Sequence, residues 1–393
     1  MKVLVCNAGS TSLKFKLFQM PSEEPFVSAL VERVGSCGDA IFRFENQVTK
    51  TVLRQDRQTI NDYQNGISRF IETLFHSGLV KNLDEIQVIG YKTVLAKGFY
   101  GVHELTDEVL EGMRAWLDLA PVHNRAYLES IAAMKRVFPH TLMVGSFETA
   151  FHITVPLERK LYGVPYEWYE SYGIQRLGFH GASHSYIASV LDKERPNYRA
   201  ISCHLGGSGS LCAIENGHSV DTSFGMSLET GLIHAKRVGN MDPTIVYHME
   251  SEGLSKEEIQ STLTSKGGLL GISGVSGDLR YVAEAAEAGN RRAQLALDVF
   301  ITGIVRYIGA FYLELGGLDY LVFTAGIGEH SALVRGKVCK ALEILGVNID
   351  GERNRRNETV ISTPKSTIEV RVIPTDEELV VARKVYRYHQ ETI

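Results

Sequence analysis

The sequence predicts an α/β protein made of two duplicated halves, each built on a mixed sheet. Two observations carry the prediction. The first is a repeat in layout: Val3–Leu17 and Ala200–Ile214 each read as a strand, a turn rich in glycine and serine, and a second strand. A turn of small residues lets backbone N–H groups approach an anion with no Cβ in the way. Two such turns, each opening its own half, suggest a phosphate held between the halves. The second observation is length. A chain of 393 residues exceeds one ordinary core and predicts about two domains.

The elements follow in order. Val3–Asn7 and Leu13–Phe18 flank the first turn as a hairpin, and Ile86–Val94 and Leu142–Phe147 read as buried strands. Thr106–Ala120 has helical spacing, and Pro121 is expected to stop it. Around Glu148–Tyr172 the pattern becomes irregular and aromatic, which places a domain boundary near residue 150. Tyr198–Leu205 is the next strand. Ser210–Val220 contains Glu215-Asn216-Gly217, a strong hairpin signal. Between Arg292 and Leu315, residues Leu297, Phe300, Ile301, Ile304, Ile308, Phe311 and Tyr312 share one helical face. Asp319–Thr324 is a buried strand, Val370–Pro374 the last strand, and Glu377–His389 a closing helix. Strands first, then alternating strand and helix, twice over, argue for two mixed sheets.

Composition narrows the function. With 44% hydrophobic and 22% charged residues the chain has the balance of a globular protein, and its net charge of −5 comes without a basic block. Nucleic acid is therefore not an expected partner. No stretch of 18 apolar residues runs without a charge, and the N-terminus opens a strand with no leader-like region, so no membrane partner and a cytoplasmic location are expected. The five cysteines lack metal-ligand spacing; Cys6 and Cys203 occupy matching strand positions and read as small buried residues.

Several residues can carry chemistry. Gly178-Phe179-His180-Gly181-Ala182-Ser183-His184 places two histidines four apart, without the glutamate of a zinc helix. His180, in a glycine turn, is either a donor facing a ligand or a structural cap of a helix. Arg237, in Ala235–Pro243, is either a solvated loop residue or a fixed cation of the kind phosphoryl transfer requires. Asn7, Glu148, Glu377 and Glu378 are polar groups expected at ends of buried strands, where ligands collect in open sheets. One or two of them could give oxygen ligands to magnesium.

Seven segments in register resemble the acetate kinase family of the acetate and sugar kinase, Hsp70 and actin superfamily. They are Asn7–Lys14, Gly178–His184, His204–Gly206, Asp221–Ser223, Ser273–Arg280, Phe323–Glu329 and Ile373–Leu379. The resemblance implies two domains of duplicated ribonuclease-H-like, actin-like ATPase topology with an interdomain cleft: 1–150 plus 379–393, and 151–378. It implies that Asn7 and Glu377 hold Mg2+, or Mn2+ in its place, and that Glu148 is the catalytic carboxylate. His123, His180 and Arg237 would contact the phosphoryl group. Lys14, His204, Leu205, Gly206, Gly207, Ser208, Asp278, Leu279, Arg280, Gly326, Ile327, Gly328, Glu329 and His330 would line the ATP/ADP site. Lys92, Val94, Val122, Phe179 and Leu228 would bind the acid, and the protein would be a homodimer.

The acyl site departs from the family pattern. Where the family has His-Arg-Val-Val-His-Gly-Gly, this chain reads Tyr91–Lys97, so the substrate arginine becomes Lys92, which cannot make a bidentate fork. The aspartate of Phe-Asp-Thr-Ala-Phe-His becomes Glu148, an asparagine becomes Gly207, and the pocket proline becomes Leu228. The expectation is an ATP-dependent kinase forming an acyl phosphate from acetate, propionate or another small acid. The alternatives are a catalytically weak nucleotide-binding protein with a regulatory or assembly role, and a sugar or polyol kinase.

Overall fold

The computed structural model describes Met1–Thr392, the side chain of Val122 excepted. Val122, expected at the acyl pocket, thus falls outside the described side chains. The chain forms two compact units, Met1–Ala150 with Asp376–Ile393, and Phe151–Thr375.

The first unit holds β1 (Lys2–Gly9), β2 (Ser12–Gln19), β3 (Glu24–Glu32), β4 (Ser36–Asn46), β5 (Thr51–Ile60), β6 (Ile86–Thr93), β7 (Val102–Glu104) and β8 (Leu142–Phe147), in the order β5-β4-β3-β2-β1-β6-β8-β7. The second holds β9 (Arg199–Leu205), β10 (Gly209–Glu215), β11 (His218–Thr222), β12 (Tyr320–Thr324) and β13 (Glu369–Val372), in the order β11-β10-β9-β12-β13. Both follow one plan. β1 pairs antiparallel with β2 and parallel with β6, which pairs parallel with β8. β9 repeats this with β10, β12 and β13. The fold is the duplicated α/β arrangement with two mixed sheets that the repeated turns predict. Asn216 and Gly217, both at positive φ, form the hairpin turn between β10 and β11.

Three elements differ from the sequence reading. The helix expected over Thr106–Ala120 spans only Asp107–Ala115, capped by Thr106. Pro121 does not end it but begins a second helix, Pro121–Val137, because the first helical position needs no N–H donor. β3 to β5 extend the first sheet; β5 is mostly exposed and polar, so it carries no alternation to read. Glu377 and Glu378 open the helix Glu377–Thr392 and do not end a strand.

The helix Arg291–Glu314 is long and apolar enough to cross a membrane by length and composition. Its Ala293, Leu297, Phe300, Ile304, Ile308 and Phe311 form the centre of the second unit's core, together with Leu321 and Phe323 of β12.

The helix Glu377–Thr392 covers the face of β1, β6 and β8 in the first unit, burying Val381, Ala382 and Val385 against Val3, Val5, Val88 and Val144. Gly90 of β6 permits the close approach, since a Cβ there would lie 2.8 Å from Val385 Cγ2 and 3.1 Å from Val381 Cγ1. Gly90→Ala should therefore destabilise the first unit by about 1–3 kcal/mol, the usual cost of overpacking. Urea unfolding checks this, and an unchanged midpoint would show that the helix is not tightly seated.

Candidate active site

In the first unit, parallel pairing puts Lys92 beside Ser146 and Thr93 beside Phe147, so that the ends of β6 and β8 carry Lys92 and Glu148 side by side. Glu377 enters from the first turn of the closing helix. Lys92 Nζ donates to Glu377 Oε2 and stands 3.8 Å from Glu148 Oε1. Burial alone would favour neutral Lys92, but Glu148 and Glu377 outweigh it and hold the lysine pKa well above its ordinary value. Glu148 is 5% exposed, and neither carboxylate oxygen accepts a hydrogen bond. Burial raises its pKa to about 7, with Glu377 adding to the rise and Lys92 and Lys384 opposing it. Tyr127, on the Pro121–Val137 helix, donates to Asn7 Oδ1 at 2.7 Å. Next to this group Lys16 pairs with Asp376 at 2.9 Å.

Asn7, Glu148 and Glu377 together supply hard oxygen donors, and both Glu148 oxygens lack a hydrogen-bond partner. That donor set suits a magnesium-type ion, which takes one or two carboxylates and completes its shell with phosphate and water. Among the described residues no cluster of three His, Cys, Asp or Glu forms an all-protein cage.

In the second unit, the turn between β9 and β10 lies next to the start of the helix Ala325–His330. β9 and β12 run parallel, with Thr324 beside His204. Gly206 N–H donates to Ser208 C=O at 3.0 Å, and Ala235 N–H to Gly207 C=O at 2.9 Å. Arg237 donates to Ser208 Oγ, and burial lowers the arginine's pKa. Gly277 packs on the same loop: a Cβ there would lie 2.9 Å from Ala235 O. Turns 206–208, 235–237 and 277–280 thus adjoin one another. Gly326 faces open space, with nothing within 4 Å of a Cβ. Two nucleotide-site residues have engagements of their own. Glu329 accepts from Ala325 N–H at 2.8 Å, and Asp278 caps the helix Leu279–Glu287 while pairing with Arg280, which lowers its pKa to about 2.

His180 occupies the residue before the helix Gly181–Leu191 in left-handed backbone, φ 56°. Its side chain does not cap that helix. Instead Nδ1 shares a hydrogen with Ser210 Oγ at 2.8 Å, and the ring stacks on His204, centroids 4.0 Å apart. Ser210 Oγ also meets His184 Nε2 at 2.8 Å, and His184 Nδ1 meets Ser202 Oγ at 3.0 Å. Burial first, then His152 and His204, hold the pKa of His184 well below the ordinary value. Non-glycine backbone strain of this kind persists only where the surroundings fix it, and the serine–histidine chain does so. Phe179 meets Phe224 edge to face at 5.3 Å, while Phe224 stacks on His234.

The remaining expected residues are scattered. Lys14 is exposed on β2 and lines a cavity of about 450 Å³ with Lys16, Ser28, Arg43 and Glu378. His123 lies in the first turn of the Pro121–Val137 helix, and Val94 and Leu228 are buried in their respective units. Leu205 is buried core, Ile327 is half-buried on the short helix, and His330 at its end is exposed. The sequence reading missed Tyr127, Ser210, Lys384, His234 and Arg335. His234 accepts from Gly209 N–H at 3.1 Å and holds the turn, kept neutral with a pKa near 3 by burial and then Arg237. The fully buried Arg335 donates to Gly328 and Glu329 carbonyls at 2.8 and 2.9 Å. Only the serines next to a glycine turn gave any signal in sequence.

The acetokinase family model matches residues 2–383. The chain is similar to curated proteins named acetate kinase, from Treponema denticola at 43% identity over 98% of both chains, and from Bacillus subtilis at 43% over 98% of this chain and 99% of that one. Among solved structures it is similar to a propionate kinase from Francisella tularensis (32% identity, TM-score 0.90) and to Porphyromonas gingivalis acetate kinase (34%, 0.85), each over 98% of this chain and 99% of the other.

Glu148 makes a pH prediction. Its pKa is raised in the folded state, so its contribution to stability is fully present below about 4.5 and is lost as pH rises through about 7. In the presence of EDTA, thermal midpoints of wild type and Glu148→Gln should diverge across that window, the variant gaining on wild type as pH rises. Parallel midpoints from pH 4.5 to 8 would contradict the assigned shift.

Proposed function

The chain belongs to the acetokinase family, and from that premise we propose that it transfers the γ-phosphoryl group of ATP to a short carboxylic acid, acetate or propionate, forming an acyl phosphate and ADP. One observation carries the reading to the residues: Lys92, Glu148 and Glu377, far apart in sequence, form one buried charged group. An acid's carboxylate needs a cation, and the Lys92 ammonium stands 3.8 Å from Glu148. One carboxylate oxygen attacks the γ-phosphorus in line, the bond to the β-γ bridging oxygen breaks, and the electron pair leaves with ADP. Asn7, Glu148 and Glu377 would hold magnesium, which neutralises phosphate charge when bound. His180, braced by Ser210, and Arg237 supply donors to the equatorial oxygens. The turns at 206–208 and 326–329 offer backbone to the nucleotide. Val94 and Leu228 are assigned to the acyl chain, and a homodimer without membrane or nucleic-acid partners is the expected assembly.

The test is a hydroxamate-trapping assay with ATP, Mg2+ and a series of one- to four-carbon acids. Product with acetate or propionate supports the proposal; ATP binding with no product from any acid would turn it toward a nucleotide-binding protein of another role. His180→Ala and Arg237→Ala should each lower kcat far more than they raise KM for ATP, with a loss on the order of 3 kcal/mol of transition-state stabilisation. Near-normal kcat in either variant removes that residue from the phosphoryl site. The double change Lys92→Arg with Glu148→Asp should raise kcat/KM for acetate by more than the sum of the single effects, because the groups share one substrate. If the reverted enzyme loses activity on acetate, the site has been rebuilt around Lys92 and Glu148.

A further inference from the structure

The ammonium of Lys92 is engaged twice before any ligand arrives. It donates to Glu377 and faces Glu148, and the three side chains are 17%, 14% and 6% exposed. Two further cations come near Glu148 or Asp376: Lys384, half-buried on the closing helix, and Lys16 on β2. A divalent ion and an ammonium make incompatible demands on one carboxylate oxygen. Magnesium takes oxygen at about 2.1 Å in near-octahedral geometry, whereas lysine is a compact donor on a flexible stem. Lys92 therefore occupies Oε2 of Glu377, one of the two carboxylate oxygens this residue could offer a metal. While it is held there, its charge is balanced, and a third carboxylate in the same buried space would find repulsion.

We propose that Lys92 is a tethered cation that exchanges partners in this site: it leaves Glu377 when a divalent ion binds there, and the freed ammonium then holds the carboxylate of the acid. The proposal rests on the reading of the chain as a carboxylate kinase. It makes acid binding conditional on metal. By linkage, metal and acid tighten one another by the same factor. The device needs lysine. A point charge on a four-carbon stem can swing between two carboxylates, while a planar guanidinium fixed in a fork would tend to hold one orientation.

The test uses the full chain with ADP, Mn2+ followed by electron paramagnetic resonance, and acetate or propionate followed by titration calorimetry. In wild type the acid should bind at least about tenfold more tightly with saturating metal than in EDTA, and the acid should tighten Mn2+ by the same factor. Lys92→Gln should bind Mn2+ roughly tenfold more tightly than wild type, with affinity no longer responsive to acid. Equal acid affinity with and without metal in wild type overturns the proposal, as does weaker or unchanged Mn2+ binding in folded Lys92→Gln. Glu377→Ala gives a second arm: it removes the hydrogen-bond acceptor of Lys92, so in EDTA it should bind acid roughly tenfold more tightly than wild type does in EDTA, and failure to do so also counts against the exchange. Hydroxamate formation on the same preparation separates the two failures. Turnover without metal–acid coupling sinks the exchange alone, and no turnover with any acid sinks the functional reading beneath it.

Discussion

The closing helix Glu377–Thr392 is the constraint on which the first unit depends. Its valines seat on β1, β6 and β8 at a face that Gly90 leaves open, and that seating delivers Glu377 to Lys92. The apolar contact and the ionic one support each other. A buried lysine next to one unpartnered carboxylate would be costly, since a lone buried charge loses its hydration without compensation. With Glu377 in place, Lys92 stays charged, and Glu148 is left as the group whose solvation is unsatisfied. The site thus stores its unfavourable electrostatics in one carboxylate, where a cation can relieve it.

The second unit solves a different problem with neutral groups. His180 must hold a left-handed backbone and still present its ring, and it is fixed through hydroxyls and neighbouring imidazoles with no buried carboxylate involved. A Ser210 hydroxyl has one proton for two ring nitrogens, so His180 and His184 cannot choose tautomers independently. Because burial keeps His184 neutral, it adds order without adding charge. Around His180 the bracing is uncharged, while elsewhere in the same unit the buried Arg335 holds the Gly328 and Glu329 carbonyls.

That topology was legible because it repeats: the glycine-serine turns after β1 and β9 announce a duplication that the strand orders bear out. Pro121 was misread because proline suits a helix start as well as the residue after a helix end, and the sequence does not say which. β5 was invisible because its two faces are nearly equally wet. Glu148 and Glu377 stood out as separate polar groups and Lys92 only through resemblance, and their meeting was not legible, since spacing cannot report a contact between residues 92 and 377. Arg335 and Tyr127 gave no signal at all, because a buried arginine satisfied by carbonyls looks like any surface arginine in the chain.

The substitutions at 92 and 148 are best understood together. Exchanging arginine for lysine removes a bidentate fork and substitutes one mobile ammonium, while exchanging aspartate for glutamate extends the facing carboxylate by one methylene. The longer acid brings its oxygen to 3.8 Å from Nζ without a hydrogen bond, close enough for attraction and loose enough to part. The tighter partner of the ammonium is Glu377, at the start of a helix that packs its valines on β1, β6 and β8 and pairs Arg383 with Glu23. The ammonium thus has one firm and one loose partner, whereas a guanidinium fork could engage both carboxylates at once. The pair of changes is therefore coherent as chemistry: the lysine gives up the second prong of the fork, the glutamate reaches one methylene further toward it, and the charge of the pair is unchanged.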